Sequence, residues 1–150
     1  MRGALTVGVL LLGLFYCLPA AAESSKTSPV GVWQTIDDKT GQPKSEVRIW
    51  VHDGTLYGRI LKLINPDEPD PICTECRGRR KNQKITGMDI IWGMTKRDSG
   101  WWEGGRILDP ANGKVYGCKL RVTSGGSKLD VRGFVGISLL GRTQTWNRLR

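Results

Sequence analysis

The feature that most constrains this chain is strict alternation broken by a two-residue turn. In the stretch 45–52, Val47, Ile49 and Val51 alternate with Arg48, Trp50 and His52. Period two places the aliphatic residues on one face and describes a half-buried antiparallel strand. Asp53-Gly54 follows at once, one of the strongest short hairpin signals a sequence carries, and 55–63 returns as the partner strand. A chain written this way cannot lie down as a helix without scattering its apolar residues around the axis.

The same grammar recurs. A first strand opens at Gly31-Val32-Trp33 and reaches about Asp37, and 38–41 turns. Strand four occupies about 88–94, with a turn at 97–100. The stretch 101–116, WWEGGRILDPANGKVY, reads as two strands folded back through Asp109-Pro110-Ala111-Asn112-Gly113. Pro110 suits the second position of a type I turn, and Gly113 supplies the positive φ that closes such a loop. Gly104-Gly105 inside the first of these strands marks a bend. The stretch 115–123 sets Tyr116, Cys118, Leu120 and Val122 against Lys119 and Arg121; after a turn at 124–127, 128–135 alternates again. Residues 136–141 connect to a last strand at about 142–149. Eight short strands joined mostly by tight turns predict an all-β antiparallel up-and-down barrel, because closure removes both exposed edges. A sandwich is the alternative architecture.

Residues 64–84 break the rhythm. Pro66, Pro69 and Pro71 precede Cys73-Thr74-Glu75-Cys76 and the basic residues Arg77, Arg79, Arg80, Lys81 and Lys84. Prolines at this density exclude a regular strand, and the segment reads as a long loop. At the N-terminus, Arg2, an apolar run over 4–18 and Ala20-Ala21-Ala22 have the form of a secretory signal peptide. Cleavage is expected after Ala22, leaving a flexible segment 23–29 and one barrel domain over 30–150, in the periplasm or secreted. The chain carries a formal charge of +9, and loss of Arg2 leaves 22 basic against 14 acidic residues, +8. Such an excess favours anionic partners.

Gly31-x-Trp33 in the first strand, with Trp146 and Arg148 in the last, resembles the lipocalin and calycin pattern. The fuller set is Gly31-Val32-Trp33, Leu56-Tyr57-Gly58-Arg59-Ile60, the C-x-x-C loop, Gly105-x-x-Leu108-Asp109-Pro110-x-x-Gly113-Lys114-x-Tyr116 and Leu140-Gly141-Arg142-Thr143-x-Thr145-Trp146-x-Arg148. This set resembles an exported bacterial family catalogued as a domain of unknown function and considered lipocalin-like. The resemblance implies a barrel plugged at one end by Trp33, with Arg148 packed across it, and it implies no reaction. The Thr-Asp-Tyr turn of ordinary lipocalins has no counterpart.

Among candidate sites, Cys73 and Cys76 have three readings. A disulfide is the simplest in an oxidising compartment. A zinc site needs two more ligands, and only Cys118 and His52 remain; a redox centre needs a helix N-terminus that nothing here provides. Cys118 reads as a buried free thiol, and His52 as a turn-flanking residue. No Ser or Cys stands beside a credible base, so no catalysis, cofactor or metal is expected. The expected activity is binding of a small or apolar molecule inside a monomeric barrel, lined by Val47, Ile49, Val51, Leu120 and Tyr116. The second reading is a cationic module that meets anionic envelope components through Arg77, Arg79, Arg80, Lys81 and Lys84. Nucleic acid is not expected, since no aromatics interleave this basic run.

Overall fold

The computed structural model describes residues 26–150, so the expected signal peptide lies outside the described residues. Eight strands follow one another: β1 (Gly31–Ile36), β2 (Pro43–His52), β3 (Thr55–Leu63), β4 (Asp89–Lys96), β5 (Trp102–Asp109), β6 (Lys114–Thr123), β7 (Lys128–Phe134) and β8 (Gly141–Arg148). Each pairs antiparallel with its neighbour in sequence, and β1 pairs with β8 to close the barrel. Two single-turn helices, Gly78–Arg80 and Ser124–Gly126, are the named helices among the described residues.

Local chemistry accounts for the turns. Asp53 and Gly54 both hold positive φ, 48° and 71°, as a primed two-residue hairpin requires. At the β5–β6 turn the Gly113 amide donates to the Asp109 carbonyl oxygen (2.8 Å), and the Ala111 amide to the Asp109 carboxylate (3.0 Å). Gly104, at φ 82°, sits in a bulge between Trp102 and Gly105. A Cβ on Gly105 would lie 2.5 Å from the Trp92 carbonyl oxygen, so β4 and β5 approach there only because that side chain is missing.

Connections alternate between the two ends of the barrel. The β2–β3, β4–β5 and β6–β7 turns share one end with residues 28–30 and the last residues of β8. The β1–β2, β3–β4, β5–β6 and β7–β8 loops share the other. Toward the first of these ends, the inward side chains of Trp33, Leu56, Met94 and Leu129 are wholly buried.

Of the segment 23–29, expected to be flexible, 23–25 lie outside the described residues, and 26–29 pack beneath the barrel. Pro29 is fully buried, Trp33 Nε1 donates to the Pro29 carbonyl oxygen (2.8 Å), and a Cβ on Gly126 would lie 2.9 Å from the Lys26 backbone. A polar, Ser-rich composition carried no sign of these contacts, because apart from the local Pro29–Trp33 bond they reach residues a hundred or more positions away.

The 64–88 loop is ordered by its own hydrogen bonds. Cys73 and Gln83 are joined from amide to carbonyl (2.9 Å), Asn82 returns a bond to Cys73 (2.9 Å), and Ile72 bridges Lys84. The Cys73–Cys76 disulfide sits at its turn, with both half-cystines buried. Ile90 and Leu108 flank the Ile91–Ile107 pair on the opposite, outer face of β4 and β5, and both are buried in one cluster with Cys73, Cys76 and Met88 of this loop. Peptide mapping without reductant is expected to recover one linked Cys73–Cys76 fragment, and changing both to serine to cost about 2 kcal/mol, the loop being short. Two free thiols in the native protein would contradict the bond.

Candidate functional site

The two ends of the barrel differ. At the first, Trp33 is wholly buried and the Arg148 guanidinium carbon stands 4.1 Å from its ring centroid. Arg148 Nη1 donates to the Val30 carbonyl oxygen (3.0 Å) and Nη2 to that of Ser28 (2.6 Å), tying the N-terminal segment across the end. Partial burial lowers the Arg148 pKa from its ordinary value, and the ring face and carbonyl oxygens compensate the charge. Gly31 is required beside it, since a Cβ there would lie 2.5 Å from the Arg150 carbonyl oxygen. Trp146, one turn of the pleat further in, is also buried. This end is sealed.

At the other end the inward positions are less covered. Ile107, Tyr116, Leu63 and Gln144 are only partly buried. The Tyr116 hydroxyl accepts from the Asn112 side-chain Nδ2 (3.3 Å). The β1–β8 seam is laddered only at Trp33–Arg148 and Gln34–Asn147, so the two strands part above it. There the gap is spanned by side chains: the Asp38 carboxylate accepts from Arg142 and from Gln144 Nε2, while Gln144 Oε1 accepts from Trp146 Nε1 (3.2 Å). Deeper in, the Thr35 and Ser45 hydroxyls share a buried hydrogen bond (2.7 Å). This polar arrangement was not singled out in the sequence. Its members are far apart there, and only inward parity in β8 could have hinted at Gln144 and Arg142.

The residues expected to line a ligand cavity divide between the two regions. Val47, Ile49 and Leu120 are buried in the packed half, where large side chains fill the interior. Val51 lies at the sealed end beside the His52–Asp53 turn and is 37% exposed. Tyr116 alone of the five stands near the less covered end. Gly133 does not open a void: a Cβ there would meet Ile107 and Tyr116 at ordinary contact distances of 3.7 and 3.8 Å.

The basic residues of the loop are partly engaged. Arg80 stacks over Trp92 (4.4 Å to the centroid), Lys81 donates to the Thr74 carbonyl oxygen (2.9 Å), and Lys84 pairs with Asp70 (3.0 Å). Arg77 and Arg79 are exposed. Arg79, Arg80 and Lys84 line a cleft of about 530 Å³ together with Gln83, Met88 and Asp89. Cys118 is a buried free thiol, and burial pushes its pKa up, so it stays protonated and a poor nucleophile. His52 is exposed, 3.3 Å from the Asp53 carboxylate. Outward positions at mid-strand carry Arg48, Arg59, Arg106, Lys119 and Arg121, so the barrel wall presents no continuous apolar band of the kind that faces lipid in a membrane-spanning barrel.

A search of curated proteins finds no match. Among solved structures, the chain is similar to one titled "Protein HP1028 from the human pathogen Helicobacter pylori belongs to the lipocalin family". The two share 20% identity over 82% of this chain and 84% of that one, with a TM-score of 0.72. That likeness shows the fold: an eight-stranded antiparallel closed barrel of lipocalin-like form. A family model matches residues 31–148, from the glycine beside Trp33 to the arginine above it, and the chain therefore belongs to the family described as "Uncharacterized protein conserved in bacteria (DUF2147)".

Proposed function

We propose that this protein binds one small, largely apolar molecule at the less covered end of the barrel and carries out no chemistry of its own. The observation that carries the reading is the asymmetry of the barrel. One end is sealed by Trp33 and Arg148, whereas Ile107 and Tyr116 at the other are only partly covered beneath the Asp38–Arg142–Gln144 cluster. An apolar ligand gains from covering those side chains, and its polar head meets the amide and guanidinium groups of the cluster. The packed lower half leaves the ligand the upper part alone, which favours a short chain or a small ring system over a long acyl tail. The neighbouring fold titled as a lipocalin supports a ligand-binding barrel. The buried disulfide is consistent with an exported protein in the periplasm or beyond.

Titration with short and long fatty acids and hydrophobic dyes, read by tryptophan emission, tests this. Gly133→Leu places a branched chain against Ile107 and Tyr116 and is expected to weaken binding by about tenfold or more. Tyr116→Phe removes only the hydroxyl and is expected to cost about threefold to tenfold. If nothing binds, or if Gly133→Leu folds and leaves affinity unchanged, the ligand reading fails.

A further inference from the structure

The connection between β7 and β8 is unlike the other turns of this barrel. Val135, Ile137, Leu139 and Leu140 are 68%, 61%, 82% and 72% exposed, four large apolar side chains within six residues. Scattered apolar residues are ordinary on a surface; a contiguous group at the tip of a projecting loop is not. We propose that this loop is a membrane-docking element that inserts into the interface of an anionic lipid bilayer and sets the less covered end of the barrel against it.

The loop is held open in this form from below. The Val135 amide donates to the Leu140 carbonyl oxygen (3.4 Å) and the Leu140 amide to that of Ile137 (3.1 Å), with Gly136 at φ 70° making the bend. Arg132 reaches up from β7: its Nε donates to the Ser138 carbonyl oxygen (2.7 Å), its Nη2 to that of Leu139 (3.2 Å) and its Nη1 to the Thr143 hydroxyl (3.0 Å). Phe134 fastens the base, lying where a Cβ on Gly117 would come within 2.5 Å of its ring. Entering an apolar medium is costly chiefly for backbone groups that lose water without gaining a partner. Here the carbonyl groups of 137–140, apart from exposed edges, are already bonded to an arginine or an amide, and the apolar side chains point outward.

Charge selects the partner. The chain's formal charge of +9 favours an anionic surface. At this end exposed Arg77, Arg79 and Lys114 stand among exposed Asp67, Glu68 and Glu75, while Arg142 pairs with Asp38 and Arg132 bonds the loop carbonyls. Basic groups beside an inserted apolar tip suit a surface that is apolar within and anionic at its headgroups. A second copy of this chain fits less well. Four side chains on a convex loop bury on the order of a few hundred Å², short of a stable protein interface.

The inference does not depend on the ligand reading, and one set of experiments separates them. The protein is floated with vesicles of phosphatidylcholine alone and with phosphatidylglycerol added, at low and high salt. Binding is expected with the anionic vesicles and is expected to weaken with salt. Leu139→Ser with Leu140→Ser, both exposed and so neutral to folding, is expected to lower the partition coefficient by about tenfold or more with an unchanged unfolding midpoint. Leu139→Trp is expected to be quenched by lipids brominated on the acyl chain. Equal flotation of the double-serine variant, or no acyl-chain quenching, would reduce the contact to surface charge and overturn the proposal. So would sedimentation as a dimer that the double-serine variant abolishes. Vesicle-free ligand titration of that variant is expected to match the native protein, so loss of either activity leaves the other to be judged alone.

Discussion

Trp33→Ala is expected to destabilise the protein by about 3–5 kcal/mol, the usual loss for truncating a buried large aromatic. The indole fills the sealed end with no exposure of its own, so its removal leaves a cavity that the surrounding strands cannot collapse into. It also leaves Arg148, already partly desolvated, without the ring face it stands over, a contact worth roughly 0.5–2 kcal/mol. Residues 28–30 lose their fastening through the Pro29 carbonyl group as well. Trp101 is the internal comparison. It lies half-buried outside the barrel, with Lys119 and Arg121 4.6 and 4.5 Å from its centroid, and Trp101→Ala is expected to cost about 1 kcal/mol. Urea unfolding of the two variants decides the matter. A Trp33 loss below about 1 kcal/mol, or equal losses, would mean the end is not closed by this residue.

The second large effect is expected at Gly113. It holds φ 66° in the β5–β6 turn, and a Cβ there would lie 1.9 Å from the Glu75 carbonyl oxygen and 2.8 Å from the Cys76 amide. Neither obstacle is a flexible side chain. Both are backbone of the disulfide-bonded turn, so alanine must push the 64–88 loop off β5 and β6. Nearby, Cys73 Sγ lies 3.3 Å from the Pro110 carbonyl oxygen, part of the same packed junction. The conformational strain of about 1 kcal/mol and the overpacking of about 1–3 give an expected loss of about 2–4 kcal/mol. Gly125 has nearly the same φ, 64°, and nothing within 4 Å of a built Cβ. Gly125→Ala is therefore expected to cost only the strain, about 1 kcal/mol. Thermal or urea unfolding of both variants isolates the junction. If the two cost the same, the turn does not bear on the disulfide loop.

Strand positions were readable because they follow from neighbours in sequence. Alternation at 45–52, the Asp53-Gly54 pair and the turn at Asp109–Gly113 each state a local backbone geometry, and the resulting strands end within two residues of the expected bounds. The disulfide was readable for the same reason, as a spacing within one loop. The candidate site was much less so. Of the five residues expected to line a cavity, parity correctly grouped Val47, Ile49 and Leu120 on the inward face, yet parity says nothing of depth. Depth depends on which end Trp33 and Arg148 close, and hence on contacts across more than a hundred residues.

The same distinction separates the two loops at the less covered end. The 77–84 run announced itself by charge, but in the fold Arg80, Lys81 and Lys84 are each drawn to a partner, through Trp92, Thr74 and Asp70. Val135 read as the end of a strand and 136–141 as a simple connection, because a short apolar stretch next to a strand is indistinguishable in sequence from one that is buried. Sequence alone thus determined the all-β class, the number and order of strands, and the turns, since each rests on φ preferences and side-chain alternation over a few residues. Tertiary structure decided which end is sealed, that β1 and β8 part above Gln34 and are bridged by Asp38, and that residues 135–140 face solvent. Those depend on where the strands stand once the barrel has closed, and no local preference carries that information.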